Sequence, residues 1–297
     1  MKNNIIKVRG DRIIGFVFLI PVLILIMFVS YIPFIWNLVL SFQQWDGFLN
    51  RKWIGFKNYT HLIHDQTALI SFYHSAYLGV GITLFSVTIG ILLAAFIYPL
   101  GAKEGAFFRF TLFTPSMVPS SIIAILFTFI FSPTGVLNQA LESIGLKSLT
   151  HVWLGEPSTV LPSIVVVDVY KNMGITMMLC FTAMQMIPKS LFEASKLEGI
   201  SYVRQFVLIV LPLIKPIIQL CVVLTLISAF RTFDSVRILT NGGPGTMSKT
   251  VSMYMIDSAF SYNQFGYAAS MGALFTGMLL LTVLVARRLL RGESYEY

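Results

Sequence analysis

Apolar residues in this chain fall into long charge-free runs. No Asp, Glu, Lys or Arg occurs from Ile13 to Trp45, from Gln66 to Ala102, or from Phe110 to Leu141. A helix needs about 20 mainly apolar residues to cross a bilayer, so each run predicts a membrane span. A fourth span is predicted over roughly Thr159 to Ala183, interrupted by Asp168 and Lys171. The fifth covers Phe206 to Phe230 with Lys215 near one end, and the sixth Ser258 to Ala286. Pro21 and Pro33 predict kinks in the first span. Pro115 and Pro119, flanked by Ser116, Ser120 and Ser121, predict a bent third span whose freed carbonyls are met by hydroxyls.

Polar interludes separate the runs. The first twelve residues form a basic arm; the apolar run behind it is longer than the roughly 7–15-residue core of a signal peptide, which predicts a retained helix. Between Asp46 and Asp65 the chain is polar and aromatic, and Trp45, Trp53 and Tyr59 fit an interfacial belt. His61 and His64 stand three apart, but no third metal ligand accompanies them, which favours a solvated interfacial helix. Lys103, Glu104 and Arg109 mark a short loop, and irregular loops are expected around Pro133–Gly135 and Trp153–Pro157. The longest charged interlude on the side assigned below to the cytoplasm is Pro188 to Pro216. It reads as two short helices: Ser190 and Glu193 as a capping box, Gly199 as the left-handed stop, and Ser201 as cap of a second helix entering the membrane near Phe206.

Composition agrees with the runs. Of 297 residues 56% are hydrophobic and 11% charged, with a mean hydropathy of +0.78, against roughly 25% charged in soluble domains. The net charge of +8 is spread between apolar runs and gives no nucleic-acid patch. Cys180 and Cys221 sit inside apolar segments as small hydrophobes. With a cytoplasmic N-terminus, the inner segments hold Lys2, Lys7, Arg9, Arg12, Lys103, Arg109, Lys189, Lys196, Arg204, Arg287, Arg288 and Arg291. Against these twelve, the outer ones hold Arg51, Lys52, Lys57, Lys147, Arg237 and Lys249. The positive-inside rule therefore places both termini, and the Glu193 loop, in the cytoplasm.

Glu193, Ala194, Gly199, Phe206, Ile209, Leu211 and Pro212 match, in identity and spacing, the cytoplasmic signature E-A-A-x-x-D-G-A, five residues, F-x-x-I-x-L-P. Ser195, Glu198 and Ile200 replace its Ala, Asp and Ala. The chain resembles the permease subunits of binding-protein-dependent ABC importers on these residues. Phe233, Asp234, Leu239, Thr240, Gly242, Gly243 and Pro244 are similar to the F-D…L-T-x-G-G-P of the maltose-type, carbohydrate-importing branch. The G-F-K-N-Y run resembles that branch's first external loop. The resemblance implies an all-α integral membrane protein with six transmembrane helices and the type I ABC importer permease fold. It divides the chain into a cytoplasmic arm (1–12), a permease domain (13–287) with a coupling hairpin (188–206), and a cytoplasmic tail (288–297). It further implies a bacterial cytoplasmic membrane location, a second homologous permease as heterodimer partner, two copies of a cytoplasmic ABC ATPase, and an external solute-binding protein.

No G-x-x-x-x-G-K-[ST] phosphate loop and no hydrolase triad or elbow occurs in the sequence. The chain is thus expected to be no enzyme and to bind no cofactor, with ATP and Mg on the partner ATPase. Glu193, Ala194, Ser195, Glu198, Gly199 and Ile200 are the expected ATPase-coupling residues, and Asn241, Gly242, Gly243 and Pro244 the loop touching the binding protein. Charges inside a span cost about 2.5–3.5 kcal/mol each, so Asp168 and Lys171, three apart on one face, either pair with each other or face a pathway. A sugar pathway needs hydroxyl, amide and aromatic groups, for which the fourth span offers Asp168, Tyr170, Asn172, Gly174 and Thr176, and the fifth Thr225, Ser228, Thr232 and Phe233. The function expected is ATP-driven import of a sugar or oligosaccharide by alternating access. Import of another polar solute such as an amino acid or glycerol phosphate, and ATPase-independent secondary transport, are the rivals.

Overall fold

A computed structural model describes residues 18–48 and 51–290; the basic arm, the start of the first span and residues 291–297 lie outside it. The described chain is helical apart from one short hairpin. Four helices are long and apolar enough to span a membrane: α1 (Phe18–Leu40), α3 (Gln66–Ile97), α7 (Val160–Gln185) and α13 (Phe265–Leu290). Two bent pairs, each counted as one span, bring the number to six: α4 (Ala102–Met117) with α5 (Ser120–Ile130), and α9 (Tyr202–Leu213) with α10 (Lys215–Phe230). Shorter elements are β1 (Gln43–Trp45), β2 (Arg51–Trp53), α2 (Lys57–His64), α6 (Val136–Ser143), α8 (Lys189–Leu197), α11 (Asp234–Leu239) and α12 (Val251–Ile256).

The chain folds as two compact units. One combines the described part of Met1–His64 with Met255–Leu274. In it α1 exposes Leu, Ile and Phe side chains over nearly its whole length. Water would penalise that surface, whereas lipid tails are as apolar as leucine. A π turn at Met27–Tyr31 interrupts α1 just ahead of Pro33; proline removes an N–H and crowds the preceding turn, which the wider turn relieves. The polar-aromatic interlude is an antiparallel hairpin pairing Gln43 with Trp53 and Trp45 with Arg51, followed by α2. The all-α expectation holds, with this hairpin of two three-residue strands as the one sheet among the described residues.

The second unit combines Asp65–Tyr254 with the described part of Phe275–Tyr297. Asp65 caps α3, accepting from the N–H groups of Thr67 and Ala68, and α3 packs along α7. Small residues permit the approach: a Cβ on Gly90 would strike Thr176, and one on Gly79 would strike the Phe230 ring. With no water to expel, such close packing is what holds spans together.

Several boundaries differ from expectation. Lys103, Glu104 and Arg109 lie on α4 instead of in a loop. The third span breaks between Met117 and Ser120 with a 100° bend. Ser116 donates to the Phe113 carbonyl at 2.6 Å and Thr114 to that of Phe110 at 2.7 Å; Ser120 is used elsewhere. The fifth span bends by 71° at Ile214, where Pro212 and Pro216 bracket the missing helical bonds, so Lys215 marks the break. The sixth begins at Phe265, because a π turn at Asp257–Ser261 takes the preceding residues.

Candidate functional sites

The first site is the hairpin of α8 and the start of α9. Gly199 has φ +70°, with its N–H on the Lys196 carbonyl and that of Ile200 on the Ser195 carbonyl, both at 3.0 Å. These two bonds make a Schellman stop, which needs a left-handed residue after the helix. The capping box does not form. Pro188 occupies the N-cap of α8 without a side-chain bond, and Ser201 sits at the next cap without one either. A helix begun directly behind proline places Ser190 inside its first turn, past the cap position.

Ser195 is buried, donating to the Phe192 carbonyl at 2.9 Å and accepting from the side-chain amide of Gln205. It therefore holds the hairpin together instead of presenting a contact. Phe192 stacks on Tyr98 at 5.6 Å, and the Tyr202 hydroxyl donates to the Ala95 carbonyl, so the hairpin is seated on the end of α3. Glu193, Ala194 and Glu198 are exposed together with Leu197, which is 90% exposed. Positions 193, 194, 197 and 198 share one helical face. Sequence motifs alone do not single out Leu197; its signal is an apolar residue four places beyond Glu193, on the same face as the two glutamates.

The second site is a cavity of about 380 Å³ where α7, the end of α10, the start of α11 and Ser120 of α5 meet. Of the residues picked from the sequence, Asp168, Asn172, Ser228, Thr232 and Phe233 line it. Lys171, Arg231, Asp234 and Ser235 line it as well, with Leu224 and Ile227 on its apolar side. Asp168 and Lys171 do not form an ion pair. The Lys171 ammonium donates to Ser120, and Asp168 Oδ1 accepts from the Ser235 hydroxyl at 2.7 Å. Asp168 Oδ2 is buried without a hydrogen bond. The bend before Ser120 and the end of α10 bring these partners in from other elements, which spacing within one helix cannot reveal. Asn172 donates back to the Asp168 carbonyl at 2.7 Å.

Four expected pathway residues lie elsewhere. A Cβ on Gly174 would fall on the Leu112 carbonyl, so this glycine serves helix packing and leaves no room for a ligand. Thr176 is buried against Gly90, and Thr225 is buried outside the cavity lining. Tyr170 packs on Phe127 at 5.6 Å beside a separate hollow lined by Thr111 and Pro115. The third feature, the loop at Asn241–Pro244, is compact. Asn241 and Gly242 have φ +51° and +85°, and Ser248 ties the loop by hydrogen bonds to Thr240 and to the Gly243 carbonyl, each 2.7 Å. No group of three or more His, Cys, Asp or Glu suited to a metal occurs among the described residues.

Comparison with known proteins gives a consistent result. The sequence profile described as "Binding-protein-dependent transport system inner membrane component" matches residues 86–292. The probable ABC transporter permease protein YurN of Bacillus subtilis is 38% identical, covering 93% of this chain and 94% of that protein. The diacetylchitobiose uptake system permease protein NgcF of Streptomyces coelicolor is 30% identical over 98% of this chain and 87% of its own length. The trehalose/maltose transport system permease protein MalF of Thermococcus litoralis is 28% identical over 90% and 89%. A chain of a bacterial ABC transporter involved in import of the acidic polysaccharide alginate superposes with a TM-score of 0.82, at 23% identity, over 96% of this chain and 97% of that one.

Proposed function

The chain belongs to the family of inner membrane components of binding-protein-dependent transport systems, and from that premise we propose that it is the permease through which an ATP-driven importer moves a sugar or oligosaccharide. Membership sets aside the ATPase-independent transporter. The single observation that carries the substrate reading is the cavity on Asp168, Asn172, Ser228, Thr232 and Phe233. It offers hydroxyl, amide and charged hydrogen-bonding groups beside one aromatic ring, which suits a polyhydroxylated solute. The names of the diacetylchitobiose and trehalose/maltose relatives point the same way.

In this reading the energy enters from a separate ATPase, two copies of which face the cytoplasm and carry ATP and Mg. The exposed face of Glu193, Ala194, Leu197 and Glu198 seats in the ATPase, and Gly199 fixes the angle at which α8 is presented. A second, homologous permease completes the pathway, and an external solute-binding protein delivers cargo to the Asn241–Pro244 loop. ATP binding draws the hairpins together, shuts the inner side and opens the outer, as a rigid-body motion of packed helices. Both termini lie in the cytoplasm.

The test is uptake by the complex reconstituted with its ATPase, second permease and binding protein. Asn172→Ala and Ser228→Ala each weaken uptake while assembly and basal ATP hydrolysis persist. Wild-type affinity in both variants would remove the substrate assignment from this cavity.

A further inference from the structure

A second, larger cleft of about 780 Å³ lies wholly within the unit that contains the hairpin. Strands β1 and β2, helix α2 and the start of α13 wall it. Arg51, Lys52 and Lys57 line it against one carboxylate, Asp46. None of the three cations has a carboxylate within ion-pair distance among the described residues.

The walls are built, not draped. Asn58 donates to the Ser41 carbonyl at 2.8 Å and to that of Gln43 at 2.9 Å, fastening α2 to the hairpin. A Cβ on Gly266 would fall on the Gln43 carbonyl, so the start of α13 lies directly on β1. The Arg51 guanidinium stands 4.7 Å from the Trp45 ring and 5.2 Å from that of Trp36. Such cation–π contacts hold a cation in place without neutralising it. Trp45 and Tyr267 also line it, their rings packed on Arg51 and His61, and Gln44, Asn263 and Gln264 add amides.

Amides reward hydroxyl groups, and cations without a carboxylate partner reward an acidic one. The volume falls in the range of small-ligand sites, about 300–1,000 Å³. We infer that this cleft binds an acidic saccharide, a short uronate-bearing oligosaccharide being the class. Nothing in the cleft's three cations rewards a neutral sugar. The inference rests on the saccharide reading above and narrows it.

The full chain in nanodiscs of phosphatidylcholine, which carry no anionic headgroups, is titrated with trigalacturonate and with maltotriose by calorimetry. Trigalacturonate binds more tightly than maltotriose, and its advantage shrinks as salt rises. Lys52→Gln and Lys57→Gln, both exposed and outside the stapling bonds, each weaken trigalacturonate about two- to five-fold and leave maltotriose unchanged. Arg51→Gln weakens it further. Equal affinity for the two probes, or an unchanged trigalacturonate affinity in the Lys52→Gln/Lys57→Gln double variant, overturns the inference. If the reconstituted importer moves a neutral sugar and the cleft shows no acid preference, this inference falls while the transport reading stands. Trigalacturonate bound at the cleft with no saccharide transported under any condition gives the reverse.

Discussion

The hydroxyl of Ser235 donates to Asp168 Oδ1 at 2.7 Å, across 67 positions of sequence and from one short helix to a membrane span. Both residues are buried, Asp168 at 5% exposure. A carboxylate at that depth depends on such donors, since stripping one costs about 1–3 kcal/mol and more for a charged group. Ser235→Ala should therefore lower the midpoint of thermal unfolding in detergent. Adding Asp168→Asn should recover part of the loss, because the two residues act as one unit. An unchanged midpoint in Ser235→Ala would show that the bond contributes nothing.

Gly199 separates conformational from steric effects. A Cβ there meets nothing within 4 Å, while φ is +70°. Valine pays only the left-handed penalty, roughly 1–2 kcal/mol, and asparagine pays less. Gly199→Val should cut substrate-stimulated ATP hydrolysis in the reconstituted complex, with Gly199→Asn closer to wild type. Glu193→Ala should also reduce stimulation but leave thermal stability alone, since no capping bond is lost. Stimulation at the wild-type level in both Gly199→Val and Glu193→Ala would end the coupling assignment.

Topology is open to thiol labelling once Cys180 and Cys221, both buried, are replaced by alanine. Cysteine at the exposed Glu198 should react with a membrane-impermeant reagent only from the cytoplasm, and cysteine at Met247, 43% exposed, only from outside. Ser195 and Ser248 are poor positions for this test, at 4% and 0% exposure. Reaction from the opposite face at either exposed position would invert or break the six-span arrangement.

These tests lean on features that the sequence disclosed unevenly. Gly199 was readable because a left-handed stop is a local demand that glycine meets most cheaply. The runs that became α1, α3 and α7 were readable because crossing a bilayer requires length and apolarity and little else. The hairpin at Gln43–Trp53 was not, since strands of three polar and aromatic residues carry no alternation. Asp168 shows the sharper limit. Helical spacing offered Lys171 as its partner, but a bent span turned Lys171 to Ser120 and a separate helix supplied Ser235. The breaks at Pro119 and Ile214 have proline beside them, yet proline announces a bend without its angle.

Gly174 provides the clearest contrast between packing and binding. Its spacing beside Asn172 suggested room for a cargo molecule, but an added Cβ would lie on the Leu112 carbonyl and 3.0 Å from the Phe113 Cα. Backbone atoms on a facing helix yield far less than a side-chain tip, and overpacking of this kind costs about 1–3 kcal/mol. Gly174→Ala should lower the unfolding midpoint and the yield of assembled complex, while whatever assembles keeps the wild-type half-saturating substrate concentration. Ser228→Ala, on the cavity wall, should do the opposite, raising that concentration without moving the midpoint. Measuring both quantities in both variants separates the roles. A stable Gly174→Ala protein with weakened substrate affinity would return Gly174 to the pathway and show that the facing helix retreats from it during transport.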